Sequence, residues 1–103
     1  MATTILTAAT AASASEKFIV GQASHLKPDN CAVIGFGFST DSVPVQISYD
    51  SGTTWVDLKI NGTAIVLADA KNYWTPTGPG VYRINKGITT GTVGFVLSTP
   101  ESP

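Results

Sequence analysis

Turn-forming clusters interrupt this chain about every 8–12 residues, and no other feature constrains its fold as much. Between the clusters lie short runs rich in Val, Ile, Thr and aromatic residues, at 4–7, 16–21 (EKFIVG), 31–38 (CAVIGFGF), 43–49, 54–60, 64–67, 81–85 and 92–98. The segments at 24–30 (SHLKPDN), 69–72 and 75–80 (TPTGPG) read as turns or loops, and Pro28 has no N–H to offer a strand partner. Strands of this length with turns at this spacing imply a sandwich or barrel. The expectation is an all-β chain: a single antiparallel β-sandwich, either jelly roll or immunoglobulin-like, with seven to eight strands and no significant helix.

The alternation inside the runs supports this, because side chains of a strand point to opposite faces in turn. In 31–38, Ala32, Ile34, Phe36 and Phe38 share one face, and Val33, Gly35 and Gly37 share the other. Val43, Val45, Ile47 and Tyr49 line one face of the next run, and Val56, Leu58 and Ile60 one face of the run after it. Asn61-Gly62 then sits between two runs. A two-residue type I′ turn needs positive φ at both central positions, which Asn and Gly tolerate best, so a tight hairpin is expected there. Asn61-Gly62-Thr63 also fits the glycosylation pattern N-x-T, but the hairpin accounts for it.

Residues 16–103 are expected to form the sandwich. Residues 1–15 (MATTILTAATAASAS) are mostly small, with Ile5 and Leu6 the large aliphatic side chains near the centre. Such a stretch buries little against an ordering cost of about 1–2 kcal/mol per residue. It reads either as an anchoring arm that adds to a neighbouring surface, with Ile5 and Leu6 facing opposite sides, or as the first strand of the sandwich.

Composition excludes several functions. Six basic and seven acidic side chains leave a net charge of −1, and Arg83 is the only arginine. Binding to nucleic acid draws on clustered Lys and Arg, which this chain lacks. Cys31 is the only cysteine, which rules out an intrachain disulfide and a Cys-based zinc site. No apolar run approaches the ~18 residues that span a bilayer, and the N-terminal stretch lacks the basic start of a secretion signal. The expected place of synthesis is a cytoplasm, with no membrane partner. His25 is the only histidine, in a polar loop, and there is no G-x-S-x-G elbow for a nucleophile. Glu16 is the only glutamate in the body of the chain, so paired carboxylates for glycoside hydrolysis are not apparent. No enzyme activity, cofactor or metal is expected.

The segment Ser48-Tyr49-Asp50-Ser51-Gly52-Thr53-Thr54-Trp55 is the most specific local signal. It resembles the Asp-box, S-x-D-x-G-x-T-W, of sialidase-type β-propellers. In that family the box is a hairpin remote from catalysis, and it recurs; here it occurs once. The resemblance implies a structural role for Ser48, Asp50, Gly52 and Trp55: the carboxylate accepts turn amides, glycine supplies a positive φ, and Trp55 packs over the hairpin. The D-x-[DN]-x-[DN]-G spacing of a calcium loop is absent. Tyr73 and Trp74 beside the TPTGPG loop read either as a plug for the core or, with Tyr82, as a platform for a sugar ring.

The order of features over residues 43–98 is PVQISYDSGTTWVDL, then the NGT hairpin, YW, GPGVYRINK and a final TTGTVGFVLS strand. It resembles small bacteriophage virion proteins of the decoration and head-fibre class. That resemblance implies a passive structural role, with the chain docked on a major capsid protein or other virion protein as a homo-oligomer, a trimer by preference. Low charge with 23 Ser and Thr side chains suits permanent contacts. The rival reading is a carbohydrate-binding module using Tyr73, Trp74 and Tyr82.

Overall fold

In the computed structural model, which describes residues 2–21 and 30–98, twelve strand segments and no helix appear among the described residues. They are β1 (Ala2–Ala9), β2 (Ser13–Ala14), β3 (Phe18–Val20), β4 (Ala32–Phe36), β5 (Ser42–Ser48), β6 (Trp55–Asp57), β7 (Lys59–Ile60), β8 (Thr63–Ala64), β9 (Val66–Ala68), β10 (Tyr73–Trp74), β11 (Gly80–Lys86) and β12 (Val93–Ser98). The expected loop over 24–30, with His25, lies outside the described residues apart from Asn30.

The architecture grows from the hairpin at Asn61-Gly62. Both residues have positive φ, 53° and 79°, and Ile60 pairs with Thr63 across the turn. From this tip a ribbon runs back through both halves of the chain. β5 pairs with β6 and β9, β4 with β10, β3 and β2 with β11, and β1 with β12, all antiparallel. The ribbon is rolled so that β12 also pairs with β4, and β11 also with β5. Two sheets result: β1-β12-β4-β10, and β11-β5 flanked by β2 and β3 on one side and β6 and β9 on the other. A double-wound antiparallel ribbon of this order is the jelly roll, not the immunoglobulin arrangement.

The twelve segments exceed the seven or eight strands expected, because single strand places are broken locally. At one break three backbone bonds close a ring: Leu58 N–H donates to Val45 O (2.9 Å), Ile65 N–H to Leu58 O (2.9 Å) and Val45 N–H to Ile65 O (3.0 Å). There the edge of β5 passes from β6 to β9, and the β7–β8 hairpin leaves the sheet. The alternation Val56, Leu58, Ile60 therefore does not make a core face. Leu58 packs on the core, while Val56 and Ile60 stay exposed. Between β2 and β3, Ser15 Oγ accepts the N–H of Ile84 at 2.8 Å and carries the pairing across the gap.

The core lies between the sheets. Val33, Val93 and Phe95 from the first sheet meet Val43, Val45 and Ile84 from the second, all fully buried. β4 turns its Val33 and Gly35 side inward and leaves Phe36 outward. A Cβ at Gly35 would lie 2.7 Å from the Phe38 and Phe95 rings, so glycine makes room for their edge-to-face pair at 5.8 Å. Beyond Gly37 the chain reverses its facing, and Phe38 packs on the core instead of sharing a face with Phe36. Tyr49 likewise leaves the face of Val43 and Val45 and is exposed.

Residues 2–9 belong to the sandwich. β1 pairs along β12, as the first-strand alternative has it, and Ile5 and Leu6 do not face opposite sides as the arm alternative expects, since both are buried in the core. A β-bulge is the reason. Thr4 opposes Val96 and Leu6 opposes Phe95, leaving Ile5 as an extra residue that restarts the alternation.

Candidate functional site

The Asp-box residues come together as one hydrogen-bonded turn. Asp50 Oδ1 accepts the Thr54 N–H at 2.7 Å, the Thr53 N–H at 3.1 Å and the Ser48 hydroxyl at 2.8 Å. Ser48 Oγ in turn accepts the N–H of Gly52 at 2.8 Å. Ser51 and Gly52 both have positive φ, 64° and 102°. The Thr54 N–H is the main cause that holds the Asp50 carboxyl below its ordinary value. Its oxygen is thus committed to the turn.

From this turn a polar row crosses the outer side of the second sheet. Arg83 lies over the Trp55 ring, 4.6 Å from guanidinium carbon to centroid, and its Nε donates to Gln46 Oε1 at 2.9 Å. Gln46 Nε2 donates to Asp57 Oδ1 at 3.1 Å. Lys17 Nζ donates to the Ser51 carbonyl at 3.3 Å. Both cations near the box thereby hold it to β11 and to the segment before β3.

The other singled-out residues fall elsewhere. Trp74 and Tyr82 are buried, and their rings meet edge to face at 5.1 Å across the two sheets. The Tyr82 hydroxyl donates to the Gly78 carbonyl at 2.9 Å, fastening the TPTGPG loop. Only Tyr73 of the three aromatics is exposed, so Tyr73, Trp74 and Tyr82 form no coplanar platform. Ile5 and Leu6 lie in the core.

Two polar groups escape sequence reasoning. The Asp41 carboxylate accepts the N–H groups of Ser39, Thr90 and Gly91, joining the loop after β4 to the loop before β12. Lys86 is 2% exposed, with Nζ 2.6 Å from the Ala9 carbonyl. Its register was a usable signal: it continues the inward series Tyr82, Ile84.

No family model, curated protein or solved structure matches the chain.

Among the described residues no three His, Cys, Asp or Glu side chains gather where they could hold a metal ion. The larger unassigned feature is a whole sheet. β1, β12, β4 and β10 contain no Asp, Glu, His, Lys or Arg, and their outer side exposes Phe36 and Tyr73.

Proposed function

We propose that this chain is a non-enzymatic structural component of a bacteriophage virion, decorating or stabilising the capsid through protein–protein contacts. The observation that carries the reading is the β1-β12-β4-β10 sheet, whose four strands contain no charged side chain and whose outer side exposes Phe36 and Tyr73. Extended faces of this kind mark interaction surfaces. The resemblance over residues 43–98 supplies the virion setting. Among the described residues, three polar side chains are spent on joints of the fold: Asp50 on its turn, Asp41 between two loops, and Arg83 between Trp55 and Gln46.

The mechanism is burial of surface between copies and against a capsid protein, with no chemical step. The test is an antibody to this chain applied to purified virions and viewed by negative-stain microscopy. Regular labelling of heads is expected. Unlabelled virions that also lack the chain by mass spectrometry overturn the reading.

A further inference from the structure

Asparagine occurs at positions 30, 61, 72 and 85, and only Asn61 is followed by glycine. Asparagine is one of the thermolabile side chains. The weakness is internal: the main-chain nitrogen of the next residue can attack the side-chain amide carbon and close a succinimide ring. A side chain on that next residue crowds the nitrogen, and glycine has none.

The fold leaves this reaction open at Asn61. Residues 59–64, which are β7, the turn and β8, are all exposed. A Cβ built on Gly62 would have nothing within 4 Å, so no other segment crowds the site. The pair that closes the turn is Ile60 with Thr63. A turn bond from the fourth residue to the first therefore uses the Thr63 N–H and not that of Gly62. β7 and β8 have two residues each and pair with each other, outside both sheets. A two-stranded hairpin of this kind is marginally stable in water. It opens locally at far lower cost than the core sheets, and opening gives Asn61 the main-chain rotation that ring closure needs.

Two other asparagines are held. Asn72 Nδ2 donates to the Gly35 carbonyl at 3.2 Å, and the Asn72 carbonyl accepts the Gly35 N–H at 2.7 Å. Asn85 lies within β11 opposite Ala14, and the residue after it is the buried Lys86.

We propose that Asn61 is a self-modifying site, at which the folded chain converts asparagine to aspartate and isoaspartate without an enzyme. The Gly62 nitrogen bonds to Asn61 Cγ and the bond from Cγ to Nδ2 breaks. The amide group leaves as ammonia, with the proton that Gly62 gave up. Water then opens the succinimide. Opening at Cγ leaves aspartate in the normal chain, and opening at the main-chain carbonyl leaves isoaspartate, with the chain running through Cβ and Cγ. Nothing is oxidised or reduced. Either product adds a carboxylate to a chain of net charge −1. Isoaspartate also lengthens the backbone inside a two-residue turn whose dihedral angles are closely specified. The base of the ribbon contains the change, because the bonds among Leu58, Ile65 and Val45 fix it to β5. The tip changes charge and shape while the core keeps its form. This inference is independent of the assembly reading above.

Timed incubation of the folded chain at neutral and at mildly alkaline pH, followed by peptide mapping with mass spectrometry, tests the site. Conversion is expected at Asn61, as separate aspartate and isoaspartate peptides, and faster at the alkaline pH, where more of the attacking nitrogen is deprotonated. The same incubation in urea gives the rate without the fold. The folded chain is expected to convert Asn61 within about tenfold of that rate, and to convert Asn72 and Asn85 at least about tenfold more slowly than Asn61. Asn61→Gln, whose longer side chain disfavours the ring, is expected to lose the conversion and keep the circular dichroism of the wild type. An Asn61 that converts in urea but more than about tenfold more slowly in the folded chain overturns the proposal, because the turn then protects it. So does conversion of Asn72 or Asn85 as fast as that of Asn61 in the folded chain.

Discussion

The carboxylate of Asp41 accepts the backbone N–H of Thr90 at 2.8 Å, across 49 positions of sequence. Its second oxygen takes the N–H of Gly91 at 3.0 Å and that of Ser39 at 3.2 Å. The loops it joins run so close that a Cβ on Gly91 would meet the Gly37 carbonyl. These amides, led by Thr90, hold the Asp41 carboxyl below its ordinary value.

A carboxyl lowered in the folded state stabilises the fold above its unfolded pKa, about 3.9, and that contribution is lost as pH falls through the folded value. Asp41→Asn is therefore expected to melt below the wild type at pH 7. The gap should narrow as pH drops below about 3.9. Thermal melts at pH 7 and at acid pH check this, and a gap independent of pH would contradict the role assigned to the charge.

The box turn makes a separate prediction. Gly52 has φ of 102°, and a Cβ there would lie 3.1 Å from the Lys17 side chain. Gly52→Val is expected to cost on the order of 1–3 kcal/mol through backbone strain. Asp50→Ala should also lower the melting temperature, because the N–H groups of Thr53 and Thr54 lose their acceptor. Urea denaturation of both variants measures the effects. Variants that match the wild type would remove the box from the structural role.

How far each feature was legible depended on the sequence distance over which it is decided. The Asn61-Gly62 turn and the Asp50 box are settled within a few residues, and both were readable because their φ values and acceptors are local. The Asp41 joint depends on partners 49 and 50 positions away, beyond any local pattern. Alternation predicted faces only while register held. At Ile5 a bulge restarted it, and at Phe38 the turn through Gly37 reversed it. The choice of jelly roll over immunoglobulin-like order rests on which strand β12 and β11 adopt as second neighbour, again a long-range matter.

Tyr73 and Trp74 are adjacent, yet they belong to opposite sides of β10: Tyr73 is 61% exposed and Trp74 is 7% exposed. Trp74→Ala is expected to cost about 3–5 kcal/mol, since it empties a core site and ends the ring contact with Tyr82. Tyr73→Ala should stay within about 0.5 kcal/mol in the monomer. Chemical denaturation at low protein concentration measures both. Similar costs at the two positions would contradict the opposite facing.

Lys86 ends the inward series of β11, and its burial separates two effects that usually travel together. The four-carbon stem fills space beside the core, while Nζ reaches the Ala9 carbonyl at the end of β1 and so bridges the two sheets. The Thr89 hydroxyl lies 3.4 Å from the same carbonyl but donates its single proton to the Gly91 carbonyl at 2.8 Å, so the Ala9 carbonyl loses its close side-chain donor when the ammonium is removed. Lys86→Ala deletes stem and donor together and is expected to cost about 2–4 kcal/mol, in the range of other large-to-alanine changes in cores. Lys86→Met keeps the stem and deletes only the donor. Leaving a carbonyl without its donor costs about 1–3 kcal/mol, so the methionine variant is expected to lose about that much and less than the alanine variant, which loses the stem as well. Urea unfolding at pH 7 compares the three chains. Equal losses in both variants would make the bond to Ala9, rather than the packing of the stem, the reason lysine occupies this place.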